Sequence, residues 1–242
     1  MSNRTTAFFD HCARFAHAAL PQRCVLCAAA AGPRRFCEPC ESSLPRVPGA
    51  RCAICASPIG RAGVCGACLQ DPPLYDAVAA AFAYAFPVDA LLHAYKYGGD
   101  LSLAPVLAAA LLEARTCAVD ALVPMPLSTA RLRERGFNQA HEIARIAGRS
   151  LKLPVLARAC RKVADTPPQA ALPWKARAGN VRNAFVCDAD LTGKRVAIVD
   201  DVMTTGATMN ELARNLKRAG AAYVTGWVVA RTLKQAGGAA TA

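Results

Sequence analysis

Residues 196–208 read VAIVDDVMTTGAT, and the groups able to do chemistry are Asp200, Asp201, Thr204, Thr205, Gly206, Ala207 and Thr208. Four apolar β-formers lead into two adjacent carboxylates, which are costly to bury. Two close anions also repel each other unless a ligand brings hydroxyl donors or a cation. The threonine-rich turn behind them opens a helix. Successive backbone N–H groups at such a turn form an anion nest, reinforced by the positive end of the helix. Gly206 lets a ligand approach the backbone, and the threonine hydroxyls add donors. One short segment thus offers acceptors for hydroxyls or a hydrated metal beside donors for a phosphate, the two ends of a sugar 5-phosphate. Neither G-x-x-x-x-G-K-[ST] nor G-x-G-x-x-G occurs, which removes the commonest alternative phosphate loops.

A second set of chemistry-bearing residues lies near the N-terminus. Of 12 cysteines, eight form four C-x-x-C pairs: Cys24/Cys27, Cys37/Cys40, Cys52/Cys55 and Cys65/Cys68. Residues 24–40 repeat as 52–68, a period of 28. A C-x-x-C step brings two sulfurs of one tight turn to the same ion, and two such turns complete a tetrahedral four-thiolate zinc site. The spacing predicts two structural Zn²⁺ sites with every position filled by protein. Successive and crossed pairing of the turns are both compatible with it. The linkers hold few large apolar residues, so metal binding must supply folding energy here. Cys12, Cys117, Cys160 and Cys187 stand alone and read as small buried apolar residues.

These groups need a scaffold. The Pro-Pro break in LQDPPLYD divides the chain into an N-terminal helix with a double zinc-ribbon module over 1–72 and a second domain over 73–242. In the second domain strands and helices alternate. Tyr75 to Tyr84, Ala121 to Pro124, RVAIVD (195–200) and AAYVTGWVVAR (221–231) read as strands. VDALLHAYKY, Leu101 to Arg115, Phe137 to Leu151 and Met209 to Ala219 read as helices, the last with Met209, Leu212, Ala213 and Leu216 on its apolar face. MPLSTARLRERG reads as a loop and KQAGGAATA as a tail without fixed structure. Such alternation predicts an α/β fold, a mainly parallel sheet flanked by helices. Ligands of such sheets bind at the carboxyl ends of strands. Side chains alternate along a strand, so the chain is expected to bend into its loop at Asp200 to bring both carboxylates to the rim.

Hydrophobic residues make up 54% of the 242, enough for a sizeable core. No stretch offers the ~18 unbroken apolar residues of a membrane helix. Asp10, His11 and Arg14 interrupt the N-terminal apolar run, which reads as an amphipathic helix with Phe8, Cys12, Phe15 and Ala19 on one side rather than a signal peptide. A soluble, cytoplasmic protein is expected. Two four-thiolate zinc sites, each at −2, would lower the formal +12 to +8. That is still a basic balance suited to phosphorylated ligands or polyanions.

The stretch VAIVDDVMTTGAT resembles the phosphoribosyl pyrophosphate (PRPP) loop of type I phosphoribosyltransferases. RERGFNQA (133–140), the RK…TPPQAAL…NVRNAF run (161–185), HAYKYGGD around Lys96 and the cysteine pairs together resemble the ComF family of competence-associated proteins. The resemblance covers about Cys24 to Arg231. It implies an N-terminal zinc module joined to a type I phosphoribosyltransferase-like domain, and a link to DNA uptake and natural transformation. Carried over, Asp200 and Asp201 take the ribose hydroxyls and the catalytic position, and Thr204, Thr205, Gly206, Ala207 and Thr208 hold the 5-phosphate. Arg133 and Arg135, after the PMPLS loop, and Lys96 face the diphosphate with Mg²⁺. Gln169, Arg177 and Asn180 fall in a hood-like segment. Three readings follow: a PRPP-binding competence factor, an active phosphoribosyltransferase with a nitrogenous acceptor, and a zinc-module adaptor. Single-stranded DNA and competence proteins are the candidate partners.

Overall fold

The structure is a computed structural model and describes residues 22–31, 35–47, 49–163 and 183–233. The N-terminal helix, the segment carrying Gln169, Arg177 and Asn180, and the C-terminal tail fall outside the described residues. The chain divides into two compact units, Met1–Leu44 and Pro45–Ala242. The Pro72-Pro73 break lies inside the second. The first unit holds a short antiparallel pair, Gln22–Arg23 with Ala30–Ala31, and the helix Glu38–Ser42.

The second unit is built on a four-stranded parallel sheet. Its strand order is Ala77–Ala83, Tyr223–Arg231, Arg195–Met203, Ala121–Pro124. Val196 to Val199 are fully buried, as expected where helices cover both faces. The helices Ala104–Ala114 and Gln139–Leu151 pack against each other and on the sheet. The helix Ala207–Arg218 buries Met209, Leu212, Ala213 and Leu216, the face its periodicity marks. Met203, Met209 and Leu212 share a core with Cys52, Cys55 and Cys68, so the second cysteine cluster is part of the sheet domain's interior. Among the described residues no helix is long and apolar enough to cross a membrane.

Three expectations need correction. The aspartates do not end their strand, which runs on to Met203 in register with Arg231. The neighbouring strand stops first, at Pro124 opposite Val199. From Asp200 onward that edge is therefore uncovered, and both carboxylates reach the cleft without an early bend. The PMPLS loop is followed by a helix, Thr129–Arg135, where a loop was expected. Ser128 caps its start by accepting from the Arg131 N–H, and Gly136, at φ 76°, ends it in the left-handed conformation. Its TARLRER sequence lacks the apolar stripe that betrays a helix. Cys160 and Cys187 are not solitary. They lie opposite each other in the antiparallel pair Cys160–Lys162 and Phe185–Cys187, and a disulfide joins them.

Candidate functional site

The eight paired cysteines form two clusters. The sulfurs of Cys24, Cys27, Cys37 and Cys40 all lie within 4.8 Å of one another, and so do those of Cys52, Cys55, Cys65 and Cys68. The turns therefore pair successively along the chain. Cys27 and Cys37 hold their sulfurs 3.5 Å apart, and Cys55 and Cys65 theirs 3.7 Å apart. These separations are far beyond a disulfide bond. They match the ~3.8 Å expected of two sulfurs each ~2.3 Å from one tetrahedral zinc. The knuckle backbones favour thiolate. Burial opposes ionisation of Cys52, but the N–H groups of Cys55, Cys65 and Ile54 outweigh it and bring the thiol down to about 6. Cys24 falls to about 6 in the same way, its burial outweighed by the N–H groups of Cys37, Leu26 and Cys27. Hydrogen bonding to Cys37 and Cys27 pushes Cys40 up to about 12, because its thiol keeps its proton against the neighbouring sulfurs. The donor set fits zinc, closed on all four sides.

The carboxyl end of the sheet carries a cleft of ≈ 570 Å³. One wall is the end of the Arg195–Met203 strand and the turn after it: Asp200, Asp201, Thr204, Gly206 and Thr208. Facing it are Lys96 from the helix Val88–Tyr97, Arg131 and Arg135 from the Thr129–Arg135 helix, and Gln139. Arg133, on the same helix, is exposed and does not line the cleft. Thr205 and Ala207 are not lining residues either. The Thr205 hydroxyl instead accepts from the Ala207 N–H, the first amide of the following helix, at 3.2 Å.

The cleft is charged. Lys96 Nζ lies 2.9 Å from Asp201 Oδ2. Burial pulls the Lys96 ammonium down, yet the Asp201 carboxylate prevails and holds it above the ordinary lysine value. Burial and then the neighbouring Asp201 charge push Asp200 well above the carboxylate range. Arg135 stacks on the Tyr97 ring at 5.0 Å and donates to Gln139 Oε1 at 3.1 Å. Gln139 is 2% exposed, and its Nε2 has no hydrogen-bond partner among the described residues. A buried donor left open at a cleft wall is costly unless a ligand takes it. Sequence reasoning singled out neither Gln139 nor Tyr97. The signal for Gln139 lay in Asn138 before it, which caps the next helix by accepting from the His141 N–H at 3.1 Å and donates to the Met125 carbonyl at 3.1 Å. That anchor fixes the residue after it at the strand end.

Gly206 sits at φ +87°, and a Cβ there would meet Met203 Cε at 2.6 Å and Tyr75 Oη at 3.1 Å. Gly206→Ala combines left-handed strain with crowding, at a cost of about 1–3 kcal/mol. The expected result is a fall of several degrees in the thermal midpoint, read by circular dichroism; an unchanged midpoint would contradict the turn geometry.

Comparison with known proteins places these features. A double zinc ribbon domain family model matches residues 15–69, and a phosphoribosyl transferase domain family model matches residues 136–237. DNA utilization protein YhgH of Escherichia coli is 35% identical over 176 residues, which cover 69% of this chain and 78% of that protein. Competence protein F of Haemophilus influenzae is 33% identical over 177 residues, covering 69% of this chain and 77% of its own length. Competence protein ComFC of Streptococcus pneumoniae is 29% identical over 143 residues, covering 59% of this chain and 62% of that protein. With both family models matched in order, and a third of the aligned residues shared over three quarters of competence protein F, this chain belongs to the ComF family.

Proposed function

We propose that the cleft binds PRPP with Mg²⁺ and that the protein serves DNA uptake as a PRPP-responsive factor. One observation carries the reading: two carboxylates and a phosphate-type turn form one wall of a cleft whose other wall is cationic. Asp200 and Asp201 accept the ribose 2- and 3-hydroxyls. The turn Thr204, Thr205, Gly206, Ala207, Thr208 receives the 5-phosphate on its backbone N–H groups. Lys96, Arg135 and Arg131 meet the diphosphate with Mg²⁺, and Arg133 adds positive field from outside the cleft. Ribose hydroxyls would replace Lys96 as partners of Asp201 and free its ammonium for the diphosphate. The role in DNA uptake rests on the names of the relatives, competence protein F and DNA utilization protein.

A second reading, an active phosphoribosyltransferase, is favoured by Tyr84 and Tyr97, which line the same cleft and offer ring faces to an aromatic nitrogenous acceptor. In that case Asp200 and Asp201 would stabilise the developing oxocarbenium charge as pyrophosphate leaves. Single-stranded DNA is the partner that suits a basic chain, formally +12 and +8 with both zinc sites filled, with Phe86 79% and Tyr97 60% exposed, because bases stack on such rings while the basic surface follows the backbone. Titration calorimetry with PRPP and Mg²⁺ is expected to give a dissociation constant in the micromolar range. No heat at millimolar PRPP would sink the site assignment. Pyrophosphate release with a panel of bases separates the transferase reading from the binding one. Salt-sensitive anisotropy with labelled single-stranded DNA, with and without PRPP, tests the DNA partner.

A further inference from the structure

Arg231 closes the Tyr223–Arg231 strand and is 6% exposed. A guanidinium so deeply placed needs its donors satisfied. Its Nε donates to the Cys55 carbonyl at 3.2 Å. Its Nη1 donates to the carbonyls of Met203 at 3.1 Å, Thr232 at 2.9 Å and Thr204. Its Nη2 reaches Ser57 Oγ at 3.4 Å, and that hydroxyl lies 3.2 Å from Cys55 Sγ. One rigid fork thus joins the backbone of a cysteine in the second cluster to Met203, the last residue of its strand, and to Thr204, the first of the phosphate-type turn. Two further contacts run alongside it. Leu74 N–H donates to Asn210 Oδ1 at 2.6 Å, and Tyr75 is buried against Gly206.

We infer that Arg231 couples the second cysteine cluster to the turn, so that metal at Cys52, Cys55, Cys65 and Cys68 and PRPP at Thr204 to Thr208 each strengthen the binding of the other. The inference rests on the PRPP reading of the cleft. Its physical basis is the planar peptide: a carbonyl held in one direction fixes the N–H of the same unit. Holding the Met203 and Thr204 carbonyls therefore aims the N–H groups of Thr204 and Thr205. A knuckle closed on metal keeps the Cys55 carbonyl and Ser57 in place, and with them the fork. An open knuckle releases the fork, and the amides lose their common aim. Linkage makes the effect reciprocal. Arg231 is a positioning residue, since it reaches the ligand only through the turn. Lysine cannot replace it, because a point charge cannot span acceptors on both sides.

The test is N-ethylmaleimide labelling of the zinc-loaded protein in excess Mg²⁺, followed peptide by peptide by mass spectrometry. Saturating PRPP is expected to slow labelling of Cys52, Cys55, Cys65 and Cys68 about fivefold or more, and to leave Cys24, Cys27, Cys37 and Cys40 unchanged. In Arg231→Lys that protection is expected to vanish, and PRPP affinity to fall about tenfold. Failure of the wild type to bind PRPP overturns the site reading and the coupling together. Binding with unchanged labelling overturns the coupling alone. Equal slowing at both clusters marks general stabilisation and overturns the route through Arg231. The wild-type comparison stands even where Arg231→Lys fails to fold.

Discussion

Asp200→Asn is expected to make the ligand-free protein more stable while cutting PRPP affinity about 10- to 100-fold, the loss of ~1.5–3 kcal/mol of charge-assisted hydrogen bonding. Burial and the Asp201 charge hold the Asp200 carboxyl well above its ordinary range, so its ionisation opposes folding at neutral pH. Asparagine keeps the shape, and its oxygen can still accept the Asp201 N–H that now donates to Asp200 Oδ1 at 2.9 Å. It removes only the charge. The sign follows from linkage. A carboxyl whose pKa is raised in the folded state binds more protons there than in the unfolded chain. Its favourable contribution is full below the unfolded value of about 4 and is lost as pH rises toward and through the folded value. The variant should therefore melt a few degrees above the wild type at pH 7, and the gap should close as pH falls toward about 4. Asp201→Asn should differ. It deprives Lys96, 18% exposed at the side chain, of the carboxylate 2.9 Å away. It should lower affinity similarly without the gain in stability. Calorimetric melting at several pH values, with PRPP titration of each variant, checks both. Equal affinity in Asp200→Asn would remove the carboxylate pair from the ligand assignment.

What could be read from the sequence follows the physics of each element. The parallel strands were legible because burial on both faces writes a continuous apolar run, as at Val196 to Val199. The end of that strand was not, because it depends on where a neighbour stops, here Pro124, far away in the chain. The Thr129–Arg135 helix carries no apolar stripe, and only its caps, Ser128 and Gly136, mark it. The disulfide between Cys160 and Cys187 depends on the register of two strands whose cysteines are 27 residues apart. The cleft was half legible. Asp200, Asp201 and the turn announce themselves by position in one segment. Gln139, Tyr97 and Arg231 acquire meaning only when the fold sets them beside other segments. Arg231 reads in the sequence as the polar end of an apolar strand, although it holds carbonyls from three separate stretches.

The 28-residue repeat makes the two cysteine clusters look equivalent, yet their substitution is expected to have unequal results. Cys52 is 2% exposed, Cys55 6% and Cys68 7%, all within the core that contains Met203, Met209 and Leu212. In the first cluster Cys24 is buried, but Cys27 is exposed and Cys37 and Cys40 are half-buried. That cluster belongs to the unit Met1–Leu44, whereas the second belongs to the sheet domain. Structural zinc contributes about 10–16 kcal/mol to small zinc-finger folds, as much as a whole domain's net stability. Each unit should therefore depend on its own metal. Cys27→Ser should cost one zinc and the order of the first unit, while the main calorimetric transition and PRPP affinity stay near wild type. Cys52→Ser should also cost one zinc. It should further lower the main transition by roughly 10 °C or more, since ~1 kcal/mol shifts a domain of this size by about 2–4 °C and several are lost. PRPP binding should weaken with it, because the Cys55 carbonyl no longer holds Arg231 in place. Zinc analysis should give the same stoichiometry for both variants, so the contrast rests on the melting curves and the titrations. Equal shifts of the main transition in the two variants would mean that the clusters are the interchangeable repeats their spacing implies.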